Sequence, residues 1–193
     1  MHSEYGWQGQ DTDKGVAVKG LNQLFGAKVS TFTLDEEHSR RRGMSTDETV
    51  HIGFKHVDPE DVELVRESLN LSDVAASAAY NLREKYGEDS WLKEFLDVGR
   101  NGSLLDLAEE LQVNSGALRA LYNRMGRFAR HGFMVEHSRT DTSAQMIEHL
   151  ERGQHVVLEF GRYGDDEAAY ILVSNLLTRR IHRKYVCLLY TSD

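Results

Sequence analysis

Apolar residues recur along this chain with two different periods, and the change between them divides it. Lys28 to Leu34 alternates polar and apolar residues with β-branched ones among them, which predicts a strand. Val50 to Phe54 predicts a second strand, separated from the first by a charged loop from Asp35 to Asp47. Ahead of both, Gln8 to Gly20 is polar and glycine-rich and reads as a loop, followed by a short helical turn at Leu21 to Phe25. From Asp58 the period lengthens. Asp58, Pro59 and Glu60 supply an N-cap, an N1 proline and a first-turn acid, after which Val62, Leu64 and Val65 recur at helical spacing. Asn70-Leu71-Ser72 opens a second helix through Tyr86, a shorter one covers Trp91 to Leu96, and two more run from Leu104 to Leu111 and from Ser115 to Arg130. Residues 58–150 therefore read as an all-helical block. A strand returns at His155 to Phe160, and a last long helix occupies Asp166 to Arg183. This order predicts an α/β domain interrupted by a helical insertion, because parallel strands need crossovers and a long insertion at a surface loop costs little closure entropy.

Composition narrows the picture. A chain of 193 residues is one domain, or a core with an inserted subdomain, and 40% hydrophobic residues suffice for a core. No apolar stretch reaches the roughly 20 residues that span a bilayer. A single cysteine excludes a disulfide framework and a cysteine-based zinc site, and points to a reducing, cytoplasmic setting. The net charge of −8 excludes a uniformly basic nucleic-acid binder, yet its distribution is uneven. From Leu111 to Val135 there are four arginines and no carboxylate; from Ala168 to Ser192 Arg179, Arg180, Arg183 and Lys184 cluster, again without one. Nine histidines invite a metal, but none shows H-x-x-x-H or H-E-x-x-H spacing, and His137, His149 and His155 fall on different elements, so no metal site is expected. Neither a G-x-S-x-G elbow nor a Cys-His pair of the kind hydrolases use is apparent.

The segment His2-Ser3-Glu4-Tyr5 resembles the end of a Walker B strand, from the residue after its aspartate, in HerA/FtsK-type P-loop ATPases. Phe32 to Gly43, the helix start at Asp58 to Asp61, Gly153 to Gly161 and Asn175 to Ile181 are similar to the central ATPase domain of archaeal HerA-like proteins. The resemblance implies a partial RecA-like P-loop ATPase core, with residues 1–57 following Walker B, an insertion at 58–150, and a core strand and helix at 151–186. It implies an internal fragment of an ATP-driven DNA translocase or helicase that acts in DNA-end processing as a homo-hexameric ring beside a NurA-type nuclease. The intact parent would use ATP and Mg²⁺; the fragment alone is expected to bind neither, since no G-x-x-x-x-G-K-[ST] occurs in these residues. His2 and Glu4 are then the residues carried over from the nucleotide site, Glu4 able to polarise a water. Cys187 to Asp193 is similar to a translated sequencing-adapter end, the alternative being a terminal strand from Tyr185 to Tyr190.

In such rings, arginines reaching across a subunit interface stabilise charge on the transferring phosphoryl group. Arg179 and Arg180 are the candidates. Adjacent helical positions point about 100° apart, so at most one faces a given partner, and both are equally explained as cations near a helix C-terminus. Arg40, Arg41 and Arg42 offer a DNA contact from the charged loop, with ion pairing to Asp35, Glu36, Glu37 or Asp47 the alternative. Ser103 to Tyr122 resembles a helix-turn-helix, with Ala108 at the crossing and a turn at Gln112 to Asn114. Its second helix would present Arg119, Asn123, Arg124 and Arg127 to base edges or phosphate. A plain pair of packed amphipathic helices shows the same pattern. The competing function is thus a non-enzymatic DNA-binding or protein-interaction module built on this pair.

Overall fold

The computed structural model describes residues 7–8, 17–18, 24–138 and 140–190. It is a mixed α/β protein with small parallel sheets and eight helices among those residues, divided into two compact units.

The first unit comprises residues 1–50 and 142–162. Its centre is β3 (Val29–Thr33), buried along its whole length and flanked by two parallel neighbours. One is β4 (Glu48–Thr49), the other β7 (His155–Glu159), whose register runs from Val29 opposite His155 to Thr33 opposite Glu159. A strand buried on both faces needs no strict alternation, and here Ser30, Thr31 and Thr33 are buried beside Val29 and Phe32. Helix α7 (Thr142–Glu151) packs on β7 and contributes Met146 and Ile147 to the core with Leu34 and Val50. Two short strands, β1 (Trp7–Gln8) and β2 (Ala17–Val18), pair antiparallel where the sequence predicts only loop.

Asp35 to Asp47 is not a plain charged loop either. It contains α1 (Glu36–Arg41), because the Asp35 carboxylate accepts from the His38 N–H at 3.1 Å, acids occupy the first turn and bases the last. That order of charge matches the helix dipole. The strand expected over Val50 to Phe54 shrinks to β5 (Ile52–Gly53), which lies in the other unit, and Phe54 already begins a 3₁₀ turn.

The second unit comprises residues 51–141 and 163–193. Helices α2 (Pro59–Leu64), α3 (Asp73–Tyr86), α4 (Trp91–Asn101), α5 (Leu104–Glu110), α6 (Ser115–Phe128) and α8 (Glu167–Tyr190) make up most of it. Alanines 75, 76, 78 and 79 on α3 are buried, and their small side chains let α2, α4 and α6 all pack on that one helix. Phe95, Leu118, Leu121, Met125 and Phe128 fill the space between α4 and α6.

Two expectations change here. The block is not strand-free, since β6 (Met134–Val135) pairs parallel with β5. In the compact units α7 belongs with the sheet, whereas α8 lies with the helices and packs on α2. Finally, α8 runs on to Tyr190, so Tyr185 to Tyr190 is helical rather than a strand. No glycine or proline interrupts that stretch.

Candidate functional site

In an open parallel sheet the strand carboxyl ends leave a crevice where ligands bind, and in the first unit that edge carries a dense polar cluster. Thr33 and Glu159 end β3 and β7 side by side. Glu159 Oε2 accepts from Thr33 Oγ1 at 3.0 Å and lies 2.7 Å from Ser39 Oγ on α1. Arg42, at the end of α1, approaches the other oxygen at 3.8 Å. Arg162 Nε pairs with Asp35 Oδ2 at 2.9 Å. The loop leaving β7 reaches this cluster through Gly161, whose φ is +57° and whose position leaves no room for a Cβ, which would fall 2.8 Å from that of Asp35. Glycine is therefore required there. The cluster brings two acids and two arginines together, with hydroxyls bracing Glu159.

The resemblance implies a triphosphate with Mg²⁺, which needs a backbone N–H cradle and a lysine. The sheet edge offers carboxylates and hydroxyls already paired with one another, and among the described residues no group of three or more His, Cys, Asp or Glu could hold a metal ion. These residues do not fit the nucleotide by themselves. His2 and Glu4 lie outside the described residues.

In the second unit, Asp61 is fully buried at the first turn of α2. Its Oδ2 accepts from the Asp58 N–H at 2.9 Å and from Arg179 Nη2 at 2.7 Å, while Asn175 Nδ2 donates to Oδ1 at 3.2 Å. Arg179 Nη1 also meets Asp58 at 2.5 Å. Burial pushes the Asp61 carboxyl above its ordinary range, against the Asp58 N–H and the Arg179 charge. Arg180 turns instead to Asp141 at 3.2 Å. The two arginines do face different partners, as their spacing requires, but α8 continues past them, so neither caps a helix C-terminus. Beside them, His56 is held down to about 4 by burial and then by the positive charge of Arg180.

Arg40 and Arg41 lie on α1 rather than in a loop, with Arg42 at its C-cap; all three are exposed, and Arg41 pairs with Glu37 one turn back. The helix-turn-helix-like pair is present as two helices. Ala108 is buried, Gln112 turns the chain with φ +55°, and the Asn114 side chain caps α6 by accepting from the Ala117 N–H at 2.9 Å. Arg119 and Arg127 are exposed and Arg124 half-buried on α6, each without a carboxylate partner among the described residues.

Sequence reasoning missed Asp35, Ser39, Glu159 and Arg162 as a group. Their strand-end and helix-cap positions are readable singly, whereas their meeting depends on β3 pairing with β7, 126 residues apart at Thr33 and Glu159.

Comparison with curated proteins and with solved structures finds no match. A family model does match, that of the helicase HerA central domain, over residues 1–181. A match across nearly the whole length, on a chain with parallel sheets and interleaved helices, places this protein in the HerA central-domain family and so among the HerA/FtsK-type P-loop ATPases.

Proposed function

We propose that this chain is a working part of an ATP-driven DNA translocase or helicase of the HerA type, acting in DNA-end processing. The family match over residues 1–181 is the observation that carries this reading. In it, residues 1–57 and 151–186 belong to a RecA-like core and residues 58–150 are a helical insertion. ATP and Mg²⁺ serve the complete motor, a cytoplasmic homo-hexamer with a NurA-type nuclease as partner, and His2 and Glu4 approach the nucleotide. Arg40, Arg41, Arg42, Arg119, Arg124 and Arg127 contact DNA.

Of the two arginines on α8, Arg180 is the better one to reach a neighbouring subunit's phosphoryl group. Its partner Asp141 is partly exposed and can be exchanged, whereas Arg179 is held by a buried aspartate.

The test is fluorescence anisotropy of a labelled duplex with the 193-residue chain over about 50 to 200 mM salt, beside an ATP hydrolysis assay. The expected result is binding whose logarithm falls with log salt by about 0.9 for each phosphate neutralised, with no ATP turnover by the chain alone. Absent or salt-independent binding overturns the DNA reading. ATP turnover by these residues alone overturns the expectation that they lack a working nucleotide site of their own.

The second reading, a non-enzymatic module on α5 and α6, is favoured by the arginines of α6, which have no carboxylate partner among the described residues. Binding lost on Arg124→Ala and Arg127→Ala but kept on substitution of Arg40, Arg41 and Arg42 would select it.

A further inference from the structure

A cleft of ≈ 510 Å³ opens between α4 and the C-terminal half of α6. Its walls include Leu96, Arg100, Tyr122, Asn123, Arg127 and Arg130. Three arginines thus line one concavity. Only Arg100 has a carboxylate near it, Asp97 at 3.2 Å; Arg127 and Arg130 have none among the described residues. Excess positive charge in a concave wall focuses field on whatever enters, and an unneutralised pair of arginines persists there only at some cost in self-repulsion.

The shape of the cleft is fixed by two glycines. At Gly99 on α4 a Cβ would fall 2.0 Å from the Tyr122 ring, so the absence of a side chain there lets that ring lie against α4, where it also meets Phe95 edge-on at 5.9 Å. The tyrosine is a seated wall and not a free side chain. At Gly126 on α6 a Cβ would meet only Leu96, at 3.7 Å, so this position leaves the floor open.

The charge also continues beyond the cleft. Arg119, Asn123 and Arg127 stand at i, i+4 and i+8 on α6, one face of the helix, covering roughly 12 Å of its length. A row of that length suits an extended polyanion better than an isolated small one, since a DNA strand carries a phosphate about every 3.4 Å. Cavities of this size also exceed what a lone phosphate group fills.

From this we infer that the cleft between α4 and α6 is a binding site for the phosphodiester backbone of a nucleic-acid strand. Arg100, Arg127 and Arg130 grip phosphate, and Asn123 and Arg119 continue the track. This rests on the DNA-binding reading above and deepens it by adding Arg100 and Arg130, which belong to no recognition-helix pattern. Contacts of this kind are to backbone, so sequence preference is weak.

The experiment uses the full 193-residue chain and labelled single-stranded and duplex oligonucleotides of mixed sequence. Arg100→Ala, Arg127→Ala and Arg130→Ala are each expected to weaken binding about threefold to tenfold and to reduce the salt slope by about one, equally across sequences. Arg127→Lys should keep the slope. Gly126→Leu, which fills the floor without changing charge, should weaken binding as well. Arg152→Ala, whose arginine pairs with Glu148 in the other unit, should bind as wild type does. Thermal melting of each variant near the wild-type midpoint shows that folding is intact. If the chain binds but the cleft variants bind equally well, the cleft assignment falls and the DNA reading stands. If the wild-type chain binds no oligonucleotide, both fall.

Discussion

Arg179 on α8 holds Asp61 at the first turn of α2 through a 2.7 Å hydrogen bond, and Asp61 is fully buried. The pair stitches two helices far apart in sequence. It also shows how Arg179 is used within the chain itself. A buried carboxylate left without its partner keeps its desolvation cost but loses the attraction that offsets it. Arg179→Ala should therefore destabilise the helical unit by about 3–5 kcal/mol. For a chain of this size that lowers the midpoint of thermal unfolding by roughly 6–20 °C. Arg180→Ala, whose partner Asp141 is partly exposed, should cost about 1 kcal/mol or less. Equal losses from the two substitutions in circular-dichroism melts would contradict this ordering.

Stability should fall on mild acidification because of His56. Its folded value of about 4 lies below the ordinary 6.5, so between those values the unfolded chain binds the extra proton. The contribution is fully present above about pH 6.5 and is lost as pH falls towards 4; below that the group adds no further change. Asp61, raised in the fold, acts with the opposite sign just above its ordinary 3.8, where the folded state holds the proton. Urea midpoints from pH 7 to pH 4.5 in wild type and His56→Gln separate the two. The variant should show the smaller loss, and parallel curves would refute the assignment.

Gly99→Ala should be poorly tolerated. The added Cβ collides with the Tyr122 ring, and overpacking of this kind costs about 1–3 kcal/mol. Gly126→Ala meets only Leu96 at ordinary contact distance and replaces a helical glycine, so it should stabilise by up to about 1 kcal/mol. Chemical denaturation of the two variants checks the contrast, and a stabilised Gly99→Ala would show that the ring does not pack as described.

Trp91 donates from Nε1 to the Val57 carbonyl at 2.9 Å, with both residues buried. Trp91→Phe keeps an aromatic ring but leaves that carbonyl without its donor, a loss of about 1–3 kcal/mol. The denaturation midpoint of the variant reads it directly; an unchanged midpoint would mean that water replaces the indole.

Local chemistry made several elements readable from the chain alone. Ser72, Ser103 and Asn114 each accept from a backbone N–H three residues on, so α3, α5 and α6 begin where a cap residue meets an apolar helical period. Lys28 to Leu34 gave β3 by its β-branched content, and the absence of carboxylates from Leu111 to Val135 marked α6 as basic. The residues resembling HerA also disclosed the family. Helix α1 was legible in principle, since Asp35, Glu36, Glu37, Arg40 and Arg41 set out a cap and a dipole-matched charge order within seven residues.

What the tertiary structure alone decided are the meetings between distant residues. Strands β5 and β6 have two residues each, too few for any period to appear, and exist because each supplies the other's hydrogen bonds. Glu159 reaches Thr33 and Ser39, Arg179 reaches Asp61, and Arg100 faces Arg127 and Arg130 only once β7 lies beside β3, α8 on α2 and α4 against α6. Hydrophobic burial drives those packings, and because it is proportional to area and blind to direction, a linear pattern states which residues go inside without stating whom they meet there.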